Sequence, residues 1–267
     1  MNLLIVNGYD KNGWAKLAKY KLQPICEFYR DQLKFINPKI KTNFIYPSMD
    51  LKKVYDDSFF LSFDGIVWTG SSLNIYDNTK EIKNQISLMK KLSQLPVKMF
   101  GSCWGMQLYS VCNGGMVSKN IKGREIGIAY NITLNNDGVK HPLYHKKPKI
   151  FDAFASHLDH ITTLPKKSKV LSDNHYSIQA LSSSRFWGTQ YHPEFNSKWM
   201  AGLMEMRKDI LLEQKVYENL SEFENEKMIL QNPDNLEKKE LHIYDDVVDE
   251  EIHSLELSNW LNLNKNY

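Results

Sequence analysis

The 267-residue chain has the composition of an ordinary globular protein, with 42% hydrophobic and 24% charged residues, which excludes an intrinsically disordered chain. Its formal net charge is only +3, and basic residues are interleaved with acidic ones, which argues against a nucleic-acid-binding protein. No apolar run approaches the ~20 residues that a membrane-spanning helix needs. We therefore expect neither a nucleic acid nor a membrane as a partner.

The three cysteines, Cys26, Cys103 and Cys112, are an odd number and show no C-x-x-C spacing. This usage is typical of a reducing compartment rather than of a secreted, disulfide-bonded protein. The N-terminus has no basic segment before a long apolar run, so no secretory signal is predicted. We expect a cytoplasmic protein.

The first hundred residues alternate between short apolar runs and amphipathic segments. Apolar runs bounded by Gly, Asn or Pro predict buried strands at 3–6, 43–46, 65–70 and 97–101. Between them, apolar residues at helical spacing predict helices at 25–36 and 82–92. This alternation predicts an α/β fold with a doubly wound, mainly parallel sheet.

From about 116 to 192 the pattern changes to shorter extended runs broken by Asn, Gly, Asp and Pro, which predicts antiparallel hairpins beside that sheet. The segment "RFWGTQYHPEF" at 185–195 is predicted to be a final strand. Beyond Ser197 the chain becomes helical and charged, with a break at "QNPDN" and a last helix at 245–263.

This change in sequence pattern predicts one domain at 1–197 and a helical C-terminal extension at 198–267 packed on it. Two roles for the extension remain open. It could be a layer that covers otherwise exposed apolar surface, or an arm that binds a partner.

The segment "FGSCWG" at 100–105 predicts a sharp turn between a strand that ends at Phe100 and a helix that begins near Met106. In such an elbow the central residue, Cys103, is held in a strained conformation with its side chain exposed, and the flanking glycines provide room. The helix N-terminus stabilises a thiolate, and the N–H of Trp104 can donate to an oxyanion. The alternative is that Cys103 is a small packed residue. Cys26 and Cys112 lie within helical patterns and are expected to be structural.

A cysteine nucleophile needs a base, and the base needs a group that orients it. His192 and Glu194 lie two positions apart at the end of an apolar run, where residues of a strand project to the same side. Pro193 cannot donate to a sheet ladder, so the strand should end here with its edge open. Cys103 and His192 would then both lie at the carboxyl edge of the sheet, where open α/β sheets hold their sites.

A second oxyanion donor is available in "WTGSS" at 68–72, because the N–H of Gly70 could point across the site. The same residues could equally form only a turn. Neither a metal nor a cofactor is expected.

Taken together, these residues resemble the class I glutamine amidotransferases, and most closely the glutaminase portion of GMP synthase and its stand-alone relatives. The elbow pattern G-x-C-x-G-x-Q is matched by Gly101, Cys103, Gly105 and Gln107. The terminal H-P-E is matched by His192, Pro193 and Glu194. A Ser-His-x-Asp segment followed by Leu-Pro is matched by Ser156, His157, Asp159, Leu164 and Pro165. The resemblance covers about 1–197.

The resemblance implies a flavodoxin-like, doubly wound domain in which Cys103 attacks the γ-carboxamide of glutamine. His192 would carry the proton to the leaving ammonia, and Glu194 would orient the imidazole. The N–H groups of Gly70 and Trp104 would hold the tetrahedral oxyanion, and water would then release glutamate from a γ-glutamyl thioester.

The family also contacts its substrate through the positions matched by Gln107, Ser156 and His157, although a structural role for His157 fits equally well. One departure is that Thr69, Gly70 and Ser71 replace the usual Gly-Gly-Pro of the oxyanion loop. Another is that only the helical tail follows the glutaminase region, so any ammonia acceptor would be a separate synthetase subunit.

Three functions therefore remain. The first is a glutamine amidotransferase that delivers ammonia to another chain, and the second is a free-standing hydrolase of some other γ-glutamyl amide or peptide. The third is a non-catalytic binding module that keeps the fold.

Overall fold

The computed structural model describes residues 1–232 and 245–265. Its strands are β1 (Asn2–Val6), β2 (Lys41–Ile45), β3 (Gly65–Trp68), β4 (Met99–Ser102), β5 (Met116–Lys119), β6 (Glu125–Leu134), β7 (Ile150–His157), β8 (Asp159–Thr163), β9 (Lys169–Asp173), β10 (Ile178–Ser182) and β11 (Phe186–Thr189). Its helices are α1 (Lys11–Lys19), α2 (Ile25–Ile36), α3 (Asp57–Leu61), α4 (Lys80–Gln94), α5 (Trp104–Cys112), α6 (Asn136–Lys140), α7 (Ser197–Glu213), α8 (Leu220–Gln231), α9 (Asp245–Val248), α10 (Glu250–His253) and α11 (Leu255–Lys265).

Within the described residues, the main sheet has nine strands in the order β2-β1-β3-β4-β11-β10-β9-β6-β7, and β5 pairs with β8 in a small second sheet. Strands β2, β1, β3, β4 and β11 run parallel. Strands β10, β9, β6 and β7 continue the sheet antiparallel. The predicted α/β fold is confirmed, and the antiparallel strands come from the region where hairpins are predicted.

Both faces of the parallel half are covered by helices. Leu3 and Ile5 of β1 lie in an apolar core with residues of α2 and α11, whereas Leu4 and Val6 lie in a second core with residues of α4 and α5. Successive side chains of a strand point to opposite faces, so one strand contributes to both cores. This is the doubly wound arrangement that the apolar runs predict.

Local structure differs from the predictions at several points. Helix α1 is not predicted, because it buries only Gly13 and Leu17 and so lacks a broad apolar stripe; the Asp10 side chain starts it by accepting the Gly13 N–H at 2.8 Å. The elbow is tighter than predicted, since β4 runs to Ser102 and α5 begins at Trp104.

The predicted final strand at 185–195 ends early, at Thr189. The His192 N–H donates to the Phe154 carbonyl on β7 at 2.7 Å, and the Phe195 N–H turns back to the His192 carbonyl at 3.1 Å. These bonds turn the segment into a loop. The sequence predicts that His192 and Glu194 share one face of a strand. In the structure they instead meet in a turn.

The predicted C-terminal extension lies against the sheet in its described parts. Trp260 of α11 is fully buried with its ring centroid 5.8 Å from that of Phe100 on β4. The predicted single helix at 245–263 is instead α9, α10 and α11. The break between α9 and α10 arises because the Asp249 side chain accepts the N–H groups of Glu251 and Ile252 and starts a new helix. Residues 233–244 and 266–267 of the extension, including most of the predicted break, lie outside the described residues. The boundary at 197/198 stays a prediction.

In the described ranges, no helix combines the length and the apolar character required to span a membrane.

Candidate active site

Cys103 occupies the corner between β4 and α5. Its φ of 49° and ψ of −99° are rare for a residue with a side chain, and such strain is typical of functional turns. The Cys103 N–H donates to the Thr189 carbonyl at 2.7 Å, and the Gln107 N–H donates to the Cys103 carbonyl at 3.0 Å. These two bonds tie the corner to β11 on one side and to α5 on the other.

The glycines on either side of Cys103 allow helix, strand and loop to approach closely. A Cβ added at Gly101 would lie 2.7 Å from the Gly105 carbonyl carbon. A Cβ at Gly105 would lie 2.8 Å from the Trp68 carbonyl oxygen. Any larger residue at either position would push α5, and with it Cys103, away from the sheet.

The imidazole of His192 connects Cys103 to a buried carboxylate. His192 Nδ1 lies 2.8 Å from Glu194 Oε1, and the Cys103 side chain is near enough to the same ring to raise the pKa of His192. The Phe195 ring stacks on the imidazole at 3.9 Å with an interplanar angle of 4°, which restricts rotation of the imidazole. The structure thus brings together the three residues of the predicted triad.

Glu194 is held by groups that the sequence analysis missed. Its side chain is fully buried, and its second oxygen, Oε2, accepts a hydrogen bond from Ser102 Oγ at 2.8 Å. The Tyr29 hydroxyl lies 3.1 Å from Ser102 Oγ and extends this chain of contacts to α2. The position of Ser102 directly before Cys103 could have indicated that Ser102 belongs to the site. Nothing in the sequence indicates the same for Tyr29.

Burial by itself lowers the pKa of His192, but the charge of Glu194 and hydrogen bonds with Cys103 and Glu194 outweigh it and raise the pKa to about 9. The imidazolium form is therefore favoured at neutral pH. Burial instead raises the pKa of Cys26 to about 11 and that of Cys112 to about 12, so both remain thiols. A cysteine that stays protonated is a poor nucleophile, which agrees with the expected structural role of Cys26 and Cys112.

Gly70 lies beside the His192 ring, and Trp104 lies next to Cys103 in the chain. A Cβ at Gly70 would lie 2.8 Å from His192 Cε1, so no side chain fits there. Thr69 shapes the loop, because its hydroxyl accepts the Gly8 N–H and donates to the Gly70 carbonyl, both at 2.9 Å. Trp104 directly follows Cys103 as the first residue of α5. The oxyanion role of both residues stays a prediction.

The loops behind these two residues are joined by the buried amide of Gln85, another residue that the sequence analysis missed. Gln85 Oε1 accepts from Trp104 Nε1 at 2.8 Å and from Trp68 Nε1 at 3.1 Å, and Gln85 Nε2 donates to the Gly8 carbonyl at 2.8 Å. A single side chain therefore supports both predicted oxyanion donors.

A cavity of about 490 Å³ opens at Cys103 and is lined by Gln107, Ser156 and His157, the three residues expected to contact substrate. The Gln107 amide nitrogen donates to the Asp159 carbonyl at 3.0 Å. Both ring nitrogens of His157 have partners, with Nε2 lying 2.8 Å from a Glu125 carboxylate oxygen and Nδ1 lying 3.1 Å from the Asp159 carbonyl. Among the described residues, the buried Ser156 Oγ has no partner.

Two arginines that the sequence analysis missed line the same cavity. Burial and the nearby charge of Arg207 lower the pKa of Arg124 to about 10. Burial raises the pKa of Tyr9 and the nearby charge of Arg207 opposes that rise, while the Arg207 Nε is buried without a partner within the described part of the chain. Neither belongs to the motifs found in the sequence, so only their positions in the fold indicate a role.

In the ranges 1–232 and 245–265, no group of three or more His, Cys, Asp or Glu side chains could hold a metal ion. Around Cys103 the structure places a thiol, an imidazole and a carboxylate side by side, and such a set can serve as nucleophile, base and orienting group.

Comparison with known proteins gives a consistent picture. The family model "Glutamine amidotransferase class-I" matches residues 35–207. The chain is 31% identical to a γ-glutamyl-L-1-hydroxyisopropylamide hydrolase from Pseudomonas sp over 237 residues, which cover 84% of this chain and 78% of that protein. It is 30% identical to γ-glutamyl peptidase 5 from Arabidopsis thaliana over 147 residues, or 54% of this chain and 58% of the peptidase.

The likeness to GMP synthases is shorter. The GMP synthase of Blochmanniella pennsylvanica is 30% identical over 139 residues, which cover 49% of this chain and 26% of that enzyme. Among solved structures, a glutamine amidotransferase from Thermotoga maritima superposes over 100% of this chain and 99% of its own with a TM-score of 0.70 at 16% identity, which shows the shared fold.

Proposed function

Because this chain belongs to the class I glutamine amidotransferase family of amidotransferases and hydrolases, we propose that it cleaves the γ-amide bond of a γ-glutamyl compound through a thioester on Cys103. The observation that carries this proposal is that Cys103, which lines a 490 Å³ cavity, lies beside His192, whose ring contacts the buried carboxylate of Glu194. A non-catalytic module would have no need of a strained cysteine beside an imidazolium.

In the proposed reaction, the Cys103 thiolate attacks the γ-carbonyl carbon, and the N–H groups of Gly70 and Trp104 bind the oxyanion that forms. The imidazolium of His192 gives its proton to the departing amine, and Glu194 holds the ring in place. A γ-glutamyl thioester and the free amine result. His192, now neutral, takes a proton from water, and the resulting hydroxide attacks the thioester to release glutamate and the thiolate.

Charge in the cavity fits a γ-glutamyl group, which carries one α-carboxylate and one α-ammonium. Arg124 and Arg207 supply positive charge near Cys103, and Asp159 supplies a carboxylate on the same wall. The unpartnered Arg207 Nε and Ser156 Oγ are donors that a bound carboxylate would satisfy. We infer that these groups, together with Gln107, bind the substrate.

The size of the cavity favours a substituted amide over glutamine alone. Beyond the glutamyl contacts, the cavity extends to Lys16, Lys19 and Asn74, which leaves space for an amine larger than ammonia. One relative, whose match covers 84% of the chain, is named as a hydrolase of a substituted γ-glutamyl amide. Free-standing hydrolysis of a γ-glutamyl amide or peptide is therefore our first proposal.

A second candidate is hydrolysis of glutamine itself with transfer of ammonia to a separate synthetase chain. The similarity to GMP synthases over half of the chain supports this alternative. Either reaction requires a reduced thiol, and the three free cysteines agree with the expected cytoplasmic location.

The test is turnover by the purified chain alone, with glutamine, a γ-glutamyl alkylamide and a γ-glutamyl dipeptide as substrates, and with glutamate and amine both quantified. We expect equimolar glutamate and amine from a substituted amide, and no turnover by Cys103→Ala. Turnover of glutamine that requires an added synthetase chain would favour the second candidate. A chain that turns over no substrate and whose Cys103 resists glutamine-derived affinity labels would be a binding module.

A further inference from the structure

The C-terminal helices reach back to the backbone of His192. His253, the last residue of α10, is 2% exposed, and its Nε2 lies 2.9 Å from the His192 carbonyl oxygen. Burial and the charge of Lys147 lower the pKa of His253 to about 3, so its ring is neutral. A neutral ring beside a carbonyl must carry its single proton on Nε2, which agrees with Nδ1 having no partner among the described residues.

The same ring also packs on the residue that holds His192 from the other side. The His253 ring meets the Phe154 ring edge to face at 5.0 Å, and the Phe154 carbonyl accepts the His192 N–H at 2.7 Å. The His192 carbonyl in turn accepts from both His253 and the Phe195 N–H. The peptide groups that carry the proposed base are thus fixed between β7 and α10.

A buried ion pair anchors this contact. Lys147 Nζ and a Glu256 carboxylate oxygen lie 3.2 Å apart with both side chains fully buried, and Lys147 also donates to the Ile252 carbonyl at 3.0 Å and to the His253 carbonyl at 3.3 Å. Glu256 accepts from the Tyr191 hydroxyl at 2.7 Å, one residue before His192. Buried ion pairs are poor sources of stability but can fix one geometry. Here the fixed geometry includes the segment that carries the base.

We propose that His253 is a positioning residue for the reaction: its imidazole N–H fixes the His192 carbonyl, so the end of helix α10 supports the active site rather than only covering the sheet. This inference rests on the proposed function. It assigns a task to a residue that lies 61 positions beyond the base and outside the predicted 1–197 domain.

The test compares three substitutions at position 253. His253→Phe keeps the ring and removes the donor, His253→Gln can place an amide N–H where Nε2 lies, and His253→Asn is too short to do so. We expect His253→Phe and His253→Asn to lose roughly tenfold or more in kcat with little change in KM, because small displacements of catalytic groups are costly. We expect His253→Gln to recover most of that loss.

The matched control is Asn259→Ala, which removes another buried hydrogen-bond donor between the tail and the core. Asn259 Nδ2 donates to the Leu143 and His145 carbonyls at 2.9 Å and does not contact His192. We expect this variant to lower the thermal midpoint while kcat stays within about twofold of wild type, since a lost hydrogen bond costs stability rather than geometry at the site.

A second readout is the pH dependence of Cys103 alkylation by iodoacetamide, which reports the cysteine–histidine pair without any substrate. We expect His253→Phe to move the onset of alkylation to higher pH, and Asn259→Ala to leave it unchanged. The inference is overturned if folded His253→Phe keeps the wild-type kcat and alkylation profile, or if losses in all variants merely follow losses in stability. If His253→Phe does not fold, the Gln and Asn variants decide. A wild-type chain that alkylates normally but cleaves no γ-glutamyl amide would count against the proposed function alone.

Discussion

At the scale of single residues, the charge state of His192 controls the proposed chemistry. Its pKa of about 9 lies well above the ordinary value because Glu194 and Cys103 together outweigh the effect of burial. The proton that the leaving amine needs is present below this pKa and is lost as the pH rises through it. At neutral pH the residue is therefore prepared to act first as an acid and then as a base.

We predict that kcat/KM for a γ-glutamyl amide falls above about pH 9, because the imidazolium loses its proton there. Glu194→Gln removes the charge that raises this pKa, so the basic limb of the profile should move to lower pH, together with a loss in the maximum rate. The measurement is a pH–rate profile of both proteins. Tyr76→Phe, which removes a partner of Asp159 without touching Glu194, serves as the control and should leave the limb in place. A limb that does not move in Glu194→Gln would contradict the assignment of His192.

The residues that carry the predicted chemistry were accessible from sequence because they form two compact patterns, G-x-C-x-G-x-Q and H-P-E. The residues that support them could not be identified from the sequence. Tyr29 reaches Ser102 across 73 positions, and Ser102 reaches Glu194 across 92. Such contacts depend on how the helices settle on the sheet, and a polar residue in a helix gives no sign of which distant group it will meet.

At the scale of elements, three neighbouring parallel strands, β3, β4 and β11, end at one edge of the sheet, and Gly70, Cys103 and His192 follow them in turn. The four parallel strands of the first hundred residues could be predicted because continuous apolar runs identify buried strands. The residue at which β11 ends could not be predicted, because it depends on the hydrogen bond from the His192 N–H to the Phe154 carbonyl on β7. Likewise, the break between α9 and α10 depends on the cap formed by Asp249.

We predict that Gly70→Ala lowers kcat by about 10- to 100-fold while the protein stays folded. The added methyl group would lie 2.8 Å from His192 Cε1, so either the oxyanion loop or the imidazole must move. The matched control is Gly202→Ala in α7, whose added Cβ meets only the movable end of the Leu22 side chain. Steady-state kinetics and thermal melting of both variants test this. Full activity in Gly70→Ala would show that the loop is free to adjust.

At the scale of the whole molecule, the site lies where three parts of the chain meet. The parallel half supplies Cys103 and His192, the antiparallel half supplies Ser156 at the end of β7, and α7 supplies Arg207. The sequence predicts the first two parts as one domain and the remainder as an extension. The composition beyond Ser197 indicates helices correctly, but it contains nothing that reveals which core those helices join, because an amphipathic helix can pack on its own domain or on a partner.

Whether the extension is a separate arm or part of one folding unit can be decided with Trp260→Ala. Trp260 is fully buried against Phe100, and its ring would lie 3.0 Å from a Cβ added at Gly65. If α11 belongs to the core, we expect urea unfolding to remain a single transition with a loss of about 3–5 kcal/mol, the usual cost of truncating a buried aromatic residue. Phe35→Ala, at a residue that is 50% exposed on α2, should cost far less. The opposite result would be two unfolding transitions, with the major transition unaffected by Trp260→Ala. That result would identify the extension as an independent arm, because a helix whose detachment does not change the stability of the sheet cannot be stabilising the sheet.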